Sequence, residues 1–279
     1  MALVPTAPGY YEEAVTIVRA DPALATQALK IANSAMYAGQ SGVSTVDRAL
    51  MRVGARMIAT TLAEGHLRRS FDIKDEVSAH LWLLNATKAN LAFELAQKHA
   101  VGVAPEAAYT YGLLHDVGRL VLASLWRNSM RDIIEDDPSP KDELLRREEE
   151  ECGVTHAVAG RLLGNRWKLP SDVVLVVAAH HFDRSARTAY PPEINRAIEL
   201  VALVDDAVHA AARGSPTPDA AAEAVCERFE IESRAASLQA VGVTARQIGD
   251  AIRPALAAVA RQRKALGIGA SASAGRLPI

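Results

Sequence analysis

Aromatic side chains are scarce in this sequence: 4 Phe, 6 Tyr and 3 Trp in 279 residues. With alanine, leucine, valine, arginine and glutamate abundant and aromatic or β-branched alternation rare, a sheet-rich fold is disfavoured and helices are expected throughout. Cysteine is rarer still. Cys152 and Cys226 lie far apart and form no CxxC pair, so neither a zinc knuckle nor a disulfide framework is indicated. A charge excess of either sign is also lacking, since 31 basic residues face 33 acidic ones for a net charge of −2. No global field therefore draws the chain to nucleic acid or anionic lipid. No apolar run reaches the roughly 18 residues that span a bilayer, and Met1 to Tyr10 carries no basic region followed by an apolar stretch. A cytoplasmic protein without a membrane partner is expected, and no repeat of fixed period points to a solenoid.

What is present reads as a series of helices. Asp21 and Pro22 open one that runs through Leu24, Ala28 and Ile31 toward Met36, and Gly39 and Gly42 break it. Ser44 to Asp47 resembles a capping box ahead of Ala49-Leu50-Met51, with Gly54 leading to a helix through Ile58 toward Leu67. A long helix is expected from Asp75 to Ala100, with Leu81, Leu84, Leu91 and Leu95 marking its apolar face. Pro105 starts the next, which leads into His115-Asp116. Further helices are expected from about Val154 to Trp167, from Ser171 to His180-His181 and from Glu193 to Ala212. Gly214 to Pro218 marks a boundary before helices near 218–230, 232–240 and 244–266. Thr244 with Gln247 forms a second capping box, and Pro254 is expected to kink or shorten the last helix. The Gly-, Ala- and Ser-rich tail 267–279 is expected to be flexible.

Chemistry concentrates at His115-Asp116, because an imidazole and a carboxylate together can bind a borderline divalent metal. The segment Gly112-Leu-Leu-His-Asp-Val-Gly-Arg119 adds a cation suited to a phosphate. The plain alternative is a hydrogen-bonded pair that ties helices together. His156 alone reads as a core histidine. His180 and His181 stand about 100° apart on a helix, so only one faces a given pocket unless the helix ends there. Of the adjacent Asp205 and Asp206, one or both are expected to be exposed. Glu148 to Glu151 read as a solvated helix face, and Trp167 and Pro170 as packing and punctuation. Asn33-Ser34 is either a local helix terminator or a contact between the first helices and the later core, the latter being favoured.

The segment at 112–119 resembles the signature of the HD superfamily of metal-dependent phosphohydrolases. Asp21-Pro-Ala-Leu24, Leu29-Lys-Ile-Ala-Asn-Ser-Ala35, Ala49-Leu50 with Gly54, Gly153 with His156 and Gly160, Trp167-Lys-Leu-Pro170 and His180-His181 extend the resemblance to one branch, the HDOD family, over roughly residues 12–210. That resemblance implies an all-α fold: a multi-helix HD-like bundle (76–213) with an N-terminal helical subdomain (12–75), together forming a domain over 1–213; it does not reach the helical C-terminal extension expected at 214–266.

By motif, it places His115, Asp116, His156, His180, His181 and Asp205 at metal-ligand positions. It also places Arg119 where catalytic HD-GYP relatives carry a phosphate-binding lysine, as a planar fork in place of a point ammonium. Two departures matter. Leu83-Leu84 stand where the first metal-binding histidine follows Trp82 in catalytic relatives, and Phe182 replaces an acid. The implied function is thus a non-catalytic signalling protein acting through a protein partner or a nucleotide ligand, with a divalent metal as the candidate cofactor and no catalytic residue assigned. The alternative is a metal-dependent phosphohydrolase or cyclic di-guanylate phosphodiesterase. Nucleic-acid binding is disfavoured: Arg68-Arg69, Arg146-Arg147 and Arg261, Arg263 and Lys264 are short clusters without interleaved aromatics.

Overall fold

The computed structural model describes residues 11, 28–29, 31–33, 43–54, 71, 75–136, 141–167, 169–212, 217–230 and 235–266. Most of these residues are helical, and there is no strand among them. The all-α expectation therefore holds. Most of the helix expected from Asp21, the one toward Leu67, and the tail 267–279 lie outside the described residues. The chain divides into two compact units, residues 1–70 and 71–279.

In the first unit, α1 (Val46–Val53) is capped by Thr45, whose side chain accepts from Arg48 N. It buries Ala49, Leu50 and Val53. Asn33 is a local brace: its amide donates to the carbonyls of Leu29 (2.9 Å) and Val43 (2.7 Å), while its oxygen accepts from Val43 N (2.7 Å). Asn33 thus makes the local backbone hydrogen bonds of a helix terminator within this unit.

The second unit is built around α2 (Glu76–Lys98). Asp75 caps it by accepting from Ser78 N. Buried side chains lie on all sides of its middle, from Leu81 through Phe93, as expected of a helix enclosed by others. Around it run α3 (Pro105–Leu114), α4 (Val117–Leu125), α5 (Arg127–Asp136), α6 (Lys141–Cys152), α7 (His156–Arg166), α8 (Ser171–Ala179) and α9 (Pro192–Ala212). Then follow α10 (Pro218–Glu230), α11 (Ala235–Val241) and α12 (Ala245–Leu266).

Leu84, Leu91 and Leu95 of α2, Leu200, Val204 and Val208 of α9, Val225 and Phe229 of α10, and Ile248, Ile252 and Leu256 of α12 share one apolar core. The C-terminal helices are therefore packed into the same core as α2. Helix α12 starts at a reciprocal cap, Gln247 N donating to Thr244 Oγ1 (3.2 Å) and Thr244 N to Gln247 Oε1 (2.8 Å). It continues through Pro254 to Leu266, so the proline does not shorten it.

Candidate metal centre

Two glycines bring His115-Asp116 to its place. A Cβ on Gly112 would lie 2.8 Å from Ala89 Cα and 2.9 Å from the Lys88 carbonyl oxygen, so its absence lets α3 press onto the middle of α2. A Cβ on Gly118 would lie 1.9 Å from the His156 carbonyl oxygen, so α4 crosses the start of α7 in backbone contact. Between them α3 ends at Leu114, and His115 and Asp116 occupy the turn that leads into α4. Helix α8 stops at Ala179, which places His180 and His181 in the turn that follows. Both consequently reach His156: Nε2 of His180 lies 3.1 Å, and Nε2 of His181 2.9 Å, from its Nε2.

Asp116 divides the cluster in two. Its Oδ1 lies 3.2 Å from His156 Nε2 and 3.3 Å from His180 Nε2. On the other side Lys88 Nζ sits 2.5 Å from Asp116 Oδ2 and 2.6 Å from Asp205 Oδ1. His115 Nε2 stands 3.4 Å and 4.0 Å from those same two oxygens. Donor atoms of Asp116, His156, His180 and His181 fall within 4.8 Å of one another, as do those of His115, Asp116 and Asp205. All six ligand positions named from the motifs are thus gathered in one place. Lys88, His115 and His156 are fully buried, and Asp116, His180 and Asp205 are between 5% and 9% exposed, so the cluster is interior.

Hydrogen bonds fix the imidazoles. His115 Nδ1 lies 3.1 Å and 3.0 Å from the carbonyls of Tyr111 and Gly112, and His180 Nδ1 2.8 Å from that of Val177. Because a carbonyl only accepts, Nδ1 carries a proton in both rings and Nε2 is the nitrogen turned inward. His156 Nδ1 lies 2.6 Å from Glu148 Oε2, which also accepts from His156 N at 2.8 Å. Glu148 is fully buried, which corrects its expected place on a solvated face; Glu149 to Glu151 are exposed as expected. Arg119 is buried beside it, Nε 3.8 Å from Glu148 Oε1.

The electrostatics follow from burial set against neighbours. Desolvation is the largest single influence on Asp116 and Asp205 and opposes their charge, yet the Lys88 ammonium and nearby histidines hold both well below the usual carboxylate range. Burial alone would also discharge His156, but Glu148 and Asp116 raise it to about 9. His180 goes the other way. Burial dominates there, assisted by His115 and His156, and lowers it to about 4 despite Asp116. Without a metal, a proton on His156 thus separates nitrogens that would otherwise confront each other as lone pairs at about 3 Å.

Three imidazole nitrogens and one carboxylate oxygen are a donor set for a borderline divalent cation such as zinc. Tetrahedral bonds of ~2.0–2.1 Å imply donor separations of about 3.3 Å. Four of the six donor separations in this set are 2.9–3.3 Å, close to that figure, and all six lie within 4.8 Å. The residues therefore fit such an ion.

Sequence reasoning passed over two members. Lys88 shares the 81, 84, 91, 95 stripe of α2 at helical spacing, so a lysine on an apolar face was its signal. Glu148 shares the α6 face of Leu144 and Cys152, four residues to either side. Asp206, beside Asp205, turns toward Arg228 at 3.4 Å. The basic pair Arg146-Arg147 is engaged by Glu143, Glu150, Glu151 and Asp136, which leaves no free cationic patch there.

A family model for the HDOD domain matches residues 10–182, more than half of the chain. A relative in Treponema pallidum (strain Nichols), described only as an uncharacterized protein, is 27% identical over 187 residues. That match spans 65% of this chain but 35% of the relative. An HDOD domain protein of unknown function from Geobacter sulfurreducens matches with a TM-score of 0.63 at 17% identity, covering 93% of this chain and 86% of the other. A candidate signal transduction protein from Marinobacter aquaeolei VT8 gives 0.60 at 21% identity, covering 92% of this chain and 55% of that one. A candidate phosphohydrolase from Shewanella amazonensis SB2B gives 0.53 at 20% identity, covering 89% and 95%. At these identities the solved structures share the fold.

Proposed function

Since this chain belongs to the HDOD family, we propose that it is a signalling module whose HD pocket holds a single divalent metal as part of its architecture and does not hydrolyse phosphodiesters. The interior position of the cluster carries this reading. Hydrolysis needs a cation with an open position facing a cleft that admits the phosphodiester. Here the candidate ligands other than His181 are less than a tenth exposed, and Arg119, the candidate phosphate-binding cation, is buried against Glu148. The signal transduction description of the Marinobacter structure agrees with a regulatory role. Asp116, His156, His180 and His181 would hold the ion, with Glu148 and the Val177 carbonyl orienting two of the rings. When bound, the ion supplies positive charge that fastens the α3–α4 turn to α7 and to the end of α8. Function then lies on the outer surface, toward a signalling partner.

The test is turnover. The protein is loaded with zinc, manganese or nickel and incubated with cyclic di-guanylate and with bis(p-nitrophenyl) phosphate. Rates equal to those of an Asp116→Ala variant are expected. Metal-dependent hydrolysis abolished by that substitution would overturn the reading in favour of a phosphohydrolase.

A further inference from the structure

The cluster offers two cradles that share Asp116, yet they are not equivalent. One consists of Asp116 Oδ1 with the Nε2 atoms of His156, His180 and His181. The other comprises Asp116 Oδ2, Asp205 Oδ1 and His115 Nε2, and Lys88 lies within it. We propose that Lys88 is a resident cation: its ammonium takes the place of a second metal ion between Asp116 and Asp205 and restricts the pocket to one metal, on the His156 side. This inference rests on the metal-holding reading above.

Three observations carry it. Nζ is 2.5 Å and 2.6 Å from the two carboxylates, so it is embedded between the oxygens that a cation in this cradle would need. His115 Nε2 is fully buried, has no hydrogen-bond partner, and stands 3.4 Å and 4.0 Å from the same two carboxylate oxygens while Nδ1 faces two carbonyls. A ligand-type nitrogen is thus aimed at a cradle whose occupant does not engage it. Finally, Lys88 is 0% exposed in the middle of α2, with Leu84 and Leu91 one turn away on either side. To yield its place to a divalent ion, the ammonium would have to withdraw into that apolar packing, where an unpaired charge is costly.

An ammonium differs from the ion it replaces in two ways. It is covalently tethered, so the cradle keeps a cation at any metal concentration. It also has no vacant coordination position, so it cannot bind and polarise a water. Asp116 and Asp205 are thereby satisfied without a second metal, and a dinuclear centre is blocked by a side chain of the chain itself.

Metal bound per chain, measured by elemental analysis after equilibration with manganese or zinc, tests this in the wild type and in the Lys88→Ala, Lys88→Met and Lys88→Arg variants. One equivalent is expected in the wild type and in Lys88→Arg. Two are expected in Lys88→Ala and Lys88→Met, whose melting temperature should keep rising until the second equivalent is added. Two equivalents in the wild type, or one in folded Lys88→Ala, would overturn the inference while leaving the metal reading intact. None in the wild type but one in Lys88→Ala would overturn the metal reading and uphold the role of Lys88; none anywhere would overturn both. Asp205→Asn guards against poor folding of the Lys88 variants. With the ammonium in place Asp205 is not a ligand, so metal affinity should change less than about threefold, whereas a loss of ~10–100-fold would count against the proposal.

Discussion

Replacing Glu148 by glutamine removes a buried carboxylate that faces both His156 and Arg119. Oε2 accepts two bonds from His156, at 2.8 Å from the backbone N and 2.6 Å from Nδ1. A hydrogen bond to a charged group is worth ~1.5–3 kcal/mol, and stranding one partner of a buried ion pair costs ~3–5 kcal/mol. Glutamine keeps an acceptor oxygen but no charge, so a loss of about 3 kcal/mol is expected. At ~2–4 °C per kcal/mol for a domain of this size, the melting temperature should fall by about 6–12 °C. Scanning calorimetry in the presence of chelator measures this. Glu149→Gln, one residue along on the exposed face of α6, is the control and should stay within ~0.5 kcal/mol of wild type. His156 should also lose its main reason to remain charged, and its proton resonances should titrate well below the wild-type value of about 9. Equal stabilities for the two variants would refute the placement of Glu148 as a buried brace.

Other substitutions and conditions give equally definite expectations. Gly118→Ala should cost at least ~1–3 kcal/mol by overpacking, because its methyl would meet the α7 backbone, which cannot swing aside. Gly153→Ala, with φ +73° and open space around it, should cost only ~1–2 kcal/mol for the left-handed conformation; denaturant midpoints that reverse this order would contradict the α4–α7 crossing. Without metal, stability should peak near pH 6.5. His180, lowered to about 4 in the fold, binds its proton more readily when unfolded, so stability falls as pH drops from 6.5 toward 4. His156, raised to about 9, contributes stability that is complete below 6.5 and lost as pH rises through 9. A urea midpoint that climbs steadily from pH 5 to 9 would contradict this. Zinc uptake must expel the His156 proton, so affinity should rise with pH up to about 9, with proton release seen as a buffer-dependent heat in titration calorimetry.

Much of the architecture was legible because helix punctuation is local. Asp75, Pro105, Ser171 and the Thr244-Gln247 cap sit at or beside the helix starts they signalled. The assembly of His115, Asp116, His156, His180, His181 and Asp205 followed from family motifs, since residues up to 90 apart carry no local sign of meeting. Periodicity could have singled out Lys88 as a cation on an apolar stripe, but not that two aspartates would meet it there. His180 and His181 share the pocket under the exception the sequence left open, because the helix ends at Ala179. Glu148 was hidden within an acidic run whose other members are exposed.

The most direct test is diffraction from crystals of the wild-type protein soaked in zinc, with data collected on both sides of the zinc absorption edge. A single anomalous peak is expected, bounded by Asp116, His156, His180 and His181, with Lys88 still seated between Asp116 and Asp205. A second peak in the His115–Asp205 cradle, with Lys88 displaced, would contradict the account.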